Sequence, residues 1–134
     1  MKDRELLLLA IKAAKKSYSP YSNFRVGAAL LSKSGKIFLG CNVENSAYGD
    51  TICAERTAFL KAISEGEREF EKIAIVGSKT DDFSAMALPC GSCRQVMSEF
   101  CDEDFKIVLM DKNDVKVFTL SEIFPAPFNK NSLN

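Results

Sequence analysis

The chain has 134 residues, 46% of them hydrophobic and 27% charged, which suffices for a core without disulfide staples and excludes extended disorder. Lys plus Arg and Asp plus Glu both number 18, so the net charge is zero and nothing favours a grip on a nucleic-acid backbone. The chain contains no His, which excludes Ser-His-Asp and Cys-His catalysis and every His-ligated metal site.

Residues 3–16 read as an amphipathic helix, with Asp3 as its cap and Leu6, Leu9, Ala10 and Ala13 at helical spacing. Ser19-Pro20 is its expected stop. The apolar run from Leu6 to Ile11 is too short to cross a bilayer, and Lys12, Lys15 and Lys16 follow it, so no membrane association is expected. Residues 24–32 and 37–43 read as a β-hairpin joined at Lys33–Lys36. Residues 45–50 read as a loop with Gly49 as its hinge. Cys53 to Glu65 reads as a helix stopped by Gly66, with Ala54, Ala58 and Ala62 small enough to allow close packing of subunits. Lys72 to Gly77 has the apolar run of a buried central strand. A loop over 79–90 leads to a helix at Gly91–Phe100, strands at Phe105–Met110 and Val115–Thr119, and a tail from Ser121. The order predicts one α/β domain over residues 1–134, a three-layer α-β-α arrangement around a mixed five-stranded sheet.

Two segments carry the chemistry. Pro89-Cys90-Gly91-Ser92-Cys93 places a C-x-x-C pair at a helix start, and Cys53 opens another helix. Helix N-termini offer partial positive charge to thiolates, which lowers their pKa and suits a metal. Three protein ligands are the pattern of a catalytic zinc, whereas a fourth, such as Cys41, makes a structural one. The five cysteines are an odd number with no secretory signal, so reduced or metal-holding thiols in the cytoplasm are expected. Glu55 stands two residues after Cys53, where a carboxylate can reach the open side of the metal and relay a proton. Arg56, beside the same ligand, can offset thiolate charge through a hydrogen bond to sulfur. C-A-E followed by P-C-x-x-C is the zinc deaminase pattern in its three-cysteine form.

The chain resembles the small homotetrameric cytidine deaminases over nearly its whole length. The resemblance rests on Tyr18–Ser22, Phe24–Leu30, Asn42–Gly49, Cys53–Arg56 and Pro89–Gln95. It implies the cytidine deaminase fold and one zinc per chain held by Cys53, Cys90 and Cys93, with Glu55 as proton shuttle. It also implies that Phe24 packs on the pyrimidine, that Asn42 and Glu44 bind the ribose, and that the backbone of Ala54 contacts the base. Tyr48 and Phe128 correspond to groups completing a neighbouring subunit's site, in a homotetramer with shared active sites. The implied reaction is hydrolysis of cytidine and deoxycytidine to uridine and deoxyuridine in pyrimidine salvage. The tail departs from the family pattern at Ile123–Phe128, where Pro125 and Phe128 align.

Two other readings compete. Deamination of a polynucleotide base is disfavoured by zero net charge, and Glu44 would repel a nearby phosphate. A non-catalytic zinc module predicts a closed four-ligand site and no dependence on Glu55.

Overall fold

The structure, a computed structural model, describes residues 1–134. Its elements run α1 (Asp3–Ala14), β1 (Arg25–Ser32), β2 (Ile37–Cys41), α2 (Ala54–Ser64), β3 (Phe70–Ser78), α3 (Gly91–Phe100), β4 (Lys106–Asp111), β5 (Asp114–Thr119) and α4 (Leu120–Ile123). The five strands form one sheet in the order β2-β1-β3-β4-β5. Only the β3–β4 pair is parallel, because α3 crosses over between them; the other neighbours are antiparallel.

Alternation along the strands divides the core in two. Ala28, Leu30, Ile73, Ile75, Ile107 and Leu109 face α2 and α3, while Ala29, Leu31, Ala74, Val76, Val108 and Met110 face α1. The architecture is therefore the expected α-β-α sandwich around a mixed sheet. The first layer is fixed by Leu6, Leu7, Ala10 and Ala14 of α1, all essentially inaccessible to solvent. No helix is long and apolar enough to cross a membrane.

Several local expectations need correction. Asp3 does not cap α1; Lys2 occupies the cap position without a side-chain hydrogen bond. The Asp3 carboxylate is drawn instead to Lys72 at the start of β3, 2.7 Å away. Helix α1 ends at Ala14, before Ser19-Pro20, because Lys16 and Ser17 tighten the last turn through the carbonyls of Ala13 and Ala14. Strand β2 stops at Cys41, and Val43 forms separate bridges with Tyr18 and Ile52. Part of the 45–50 loop, Tyr48–Asp50, is a 3-10 turn. The tail begins with α4, closed by a capping box between Thr119 and Glu122. Ala54, Ala58 and Ala62 are fully buried against the sheet of their own chain, so they leave no small-residue face for another subunit.

Candidate active site

The segment Asn42–Glu44 lies between two others. Val43 and Ile52 exchange both backbone hydrogen bonds, and Glu44 N–H donates to the Tyr18 carbonyl at 2.8 Å. This lattice carries the chain into α2 with Cys53 as the residue preceding its first turn. Cys90 holds the equivalent position before α3, and Cys93 lies in that helix's first turn. Both helices begin without a side-chain cap, so their first N–H groups and their dipoles face the cysteines.

The three sulfurs lie within 4.8 Å of one another, with Cys53–Cys90 at 3.7 Å and Cys90–Cys93 at 3.6 Å. Ligands about 2.3 Å from a tetrahedral ion stand about 3.8 Å apart, so this spacing fits zinc and is far too long for a disulfide. The remaining cysteines are elsewhere. The Cys41 thiol donates to the Lys16 carbonyl at 3.5 Å, and Cys101 follows the far end of α3. A site closed by Cys41 is thus not what the fold builds, and a tetrahedral ion keeps one position free.

Electrostatics support the same reading. The Cys93 thiol, donating to Cys53, brings Cys53 down to about 5, with Arg56 adding to the effect. Cys93 is pushed up by the same sulfur pair and by burial. Three thiols this close cannot all ionise unaided, and a cation resolves the conflict. Arg56 Nη2 donates to Cys53 Sγ and to the Thr51 carbonyl, each at 3.4 Å, while its buried Nε has no partner.

Glu55 is 4% exposed. Burial pushes its carboxyl from the usual 4.5 up to about 7. It lines a cleft of about 390 Å³ together with Phe24, Val26, Asn42, Cys53, Ala54 and Cys90, roofed by Met86, Ala87 and Leu88. Size and an apolar lining with few polar groups are those of a small-molecule site. A second cleft, of about 370 Å³, adjoins it through Thr51 and is lined by Tyr21, Ser22, Glu44 and Tyr48.

The buried acid gives a pH prediction for the metal-free protein. Its folded pKa lies above the unfolded one, so the folded chain binds the extra proton. Stability therefore falls as pH rises from about 4.5 to about 7. The shift corresponds to roughly 3 kcal/mol. Urea unfolding of zinc-stripped Glu55→Gln and native protein should show near-equal stability at pH 4.5 and a clear gain for the variant at pH 8. A difference independent of pH contradicts the assignment.

The other expected site residues fall into three groups. Phe24 and Ala54 reach the first cleft. The Phe24 ring lies on Gly77, where an added Cβ would sit 2.7 Å from it. The Ala54 N–H, in the first turn of α2, has no intrahelical partner. Asn42 and Glu44 are already engaged. The Asn42 side-chain carbonyl accepts from Val26 N–H at 2.9 Å and from Ser17, and its amide donates to the Phe24 carbonyl at 2.8 Å, leaving one N–H. Glu44 accepts from the Tyr21 and Ser22 backbone at 2.9 and 3.1 Å and from the Ser22 hydroxyl, which holds its pKa below the usual range. Tyr48 lines only the second cleft, edge-on to Tyr21 with centroids 5.6 Å apart. Phe128 lines neither cleft; Gln95 binds its carbonyl at 2.8 Å and its side chain is exposed.

Sequence reasoning missed Thr51, Gly77 and the Met86–Leu88 roof. A glycine closing a buried strand run was the available signal for Gly77. The loop leading to the roof is tied down by Arg25, which binds the Thr80 carbonyl at 2.6 Å and Asp81 at 2.7 Å, and by buried Phe83, neither legible locally.

The family model for the cytidine and deoxycytidylate deaminase zinc-binding region matches residues 1–109. The cytidine deaminase of Sporosarcina psychrophila is 45% identical over 131 residues, covering 97% of this chain and 93% of that protein. That of Halalkalibacterium halodurans is 46% identical over 134 residues, covering 98% of each. The crystal structure of cytidine deaminase from Burkholderia pseudomallei is 44% identical, with a TM-score of 0.88 over 96% of this chain and 100% of that one. The matched region runs through both cysteine segments, and the relatives extend over β5 and the tail as well: the chain belongs to the cytidine deaminase family.

Proposed function

We propose that the chain hydrolyses cytidine and deoxycytidine to uridine and deoxyuridine, releasing ammonia, as a cytoplasmic step of pyrimidine salvage. The observation that carries this reading is the buried Glu55 carboxyl group lining a cleft together with Phe24 and with Cys53 and Cys90 of the cysteine cluster. One zinc held by Cys53, Cys90 and Cys93 would supply a Lewis acid that makes the attacking water acidic. Glu55 takes a proton from that water and delivers it to ring nitrogen 3. The water oxygen adds at ring carbon 4, Glu55 takes the proton left on the added hydroxyl and passes it to the amino group, and ammonia leaves as the carbonyl forms. Phe24 holds the base by its face, and the Ala54 N–H is free to bind it. Arg56 draws charge from the Cys53 thiolate, so that three thiolates do not quench the acidity of the metal.

The second cleft takes the sugar. Glu44 offers it carboxylate lone pairs not used by Ser22, and Asn42 offers one N–H from the adjoining first cleft. No cation lines this cleft, so the only charged group a phosphate there meets is Glu44. Cytidine 5′-monophosphate should react with kcat/KM at least about tenfold below that of cytidine, an effect of about 1.4 kcal/mol. Equal rates would overturn the nucleoside reading and favour a nucleotide substrate.

The same reading makes the working form a homotetramer with shared sites. Tyr21, Tyr48 and Leu88 expose apolar surface at the cleft rims, and Phe128 is exposed away from its own cleft. Light scattering at assay concentration should give four chains; a fully active monomer contradicts it.

A further inference from the structure

We infer that Gly40 of β2 is a positioning residue for the metal centre, setting the distance between the two halves of its ligand set. The inference rests on the reading that Cys53, Cys90 and Cys93 hold one metal ion. Gly40 pairs with Ala28 in the sheet, on the face that packs against α2. A Cβ at Gly40 would lie 2.4 Å from the Ala54 carbonyl oxygen and 2.6 Å from the Ala58 nitrogen. These are backbone atoms at the two ends of one helical turn, so no side-chain rotation relieves the contact. Ordinary contact begins near 3.4 Å, so any side chain must lift this end of α2 by roughly 1 Å. Ala54 stands between Cys53 and Glu55, and both would move with it.

Cys90 precedes α3 at its cap position and Cys93 lies in its first turn, so the two keep their own spacing through that helix start. Cys53 is the ligand that must be brought to them, and its sulfur is 3.7 Å from that of Cys90. Metal–ligand distances tolerate about 0.2 Å. A displacement several times larger removes Cys53 from the ligand set and withdraws Glu55 from the cleft. The small residues Ala54 and Ala58 serve the same close approach from the helix side.

Cobalt provides the readout, since its thiolate charge-transfer absorption grows with the number of coordinating thiolates. The full-length metal-free protein is titrated with Co2+ as native chain, Gly40→Ala and Gly27→Ala. Gly27 is the matched control: a Cβ there meets the Ala10 oxygen at 2.0 Å and the Ala14 nitrogen at 2.4 Å, but in α1 on the opposite face. Gly40→Ala should retain helical circular dichroism, lose about one third of the absorption band and bind Co2+ at least tenfold more weakly. Gly27→Ala should lose thermal stability and keep the full band. If Gly40→Ala does not fold, Ala58→Val applies the same lift more gently from the helix and should show the same loss of band. A full band and native affinity in the folded Gly40→Ala or Ala58→Val protein overturn the inference. Absence of any thiolate band in the native chain overturns the metal reading beneath it, and the two failures are distinct.

Discussion

Replacing Glu55 by Gln is expected to lower kcat for cytidine by at least about a thousandfold while the protein keeps its zinc and its fold. Positioned acid–base groups contribute about 10²- to 10⁴-fold. In the proposed mechanism one carboxylate serves both proton transfers, which puts the loss at about a thousandfold or more, about 4 kcal/mol of transition-state stabilisation. Nothing can stand in for it. The chain has no His, and the only other titratable groups lining the cleft are Cys53 and Cys90, which are metal ligands on this reading. Gln preserves the shape of a side chain that is almost wholly buried, so substrate binding should change far less than turnover. Steady-state kinetics with zinc quantification on the same sample check this. A variant with full zinc and near-native kcat contradicts the proton-shuttle role, and the non-catalytic zinc module would then be the better account.

Cys93→Ala is expected to abolish turnover through the metal. Altering groups that merely support metal ligands costs about 10- to 100-fold in affinity, and a lost ligand costs more. Zinc affinity should fall more than about 100-fold, and activity should fall with occupancy. The side chain is buried in the core beside α2, so a packing cost of about 1 kcal/mol accompanies the substitution. Comparing holo and metal-free forms separates the two effects. Native protein should gain thermal stability from zinc by mass action, about 4 kcal/mol at a thousandfold excess over Kd. The variant should gain little, while the two metal-free proteins differ only by the packing cost. Equal stabilisation by zinc in both would remove Cys93 from the ligand set.

The parts of this molecule legible in its sequence are those specified by short-range chemistry. Helix α3 runs over Gly91–Phe100, the bounds its sequence predicts from the proline and cysteine that precede it. Gly66 stops α2 as read: its φ of +99° suits glycine, and Glu67 N–H returns to the Ala62 carbonyl at 3.1 Å. The apolar run in β3 marked the middle of the sheet. The capping box of α4, spelled Thr119-x-x-Glu122, is equally local, although prolines follow it closely.

What sequence did not reveal depends on partners far along the chain. The tie between Asp3 and Lys72 joins residues that only the finished sheet brings together. Ala54, Ala58 and Ala62 form a small face, but Ala54 and Ala58 meet Gly40 of the same chain and Ala62 is buried in its core, so the face does not meet another subunit. The cysteine cluster was predictable from residue types and spacing, whereas the division into two adjoining clefts was not. That division follows from Thr51 and from the hydrogen bonds of Asn42 and Glu44, which cross 16 and 22 positions to Val26 and Ser22.

The most direct test is the loss of ultraviolet absorbance of cytidine on incubation with purified protein of measured zinc content. The account predicts turnover in proportion to bound zinc, reaching its maximum at one zinc per chain, with uridine and ammonia formed in equal amounts. No loss of absorbance by fully zinc-loaded protein would contradict it.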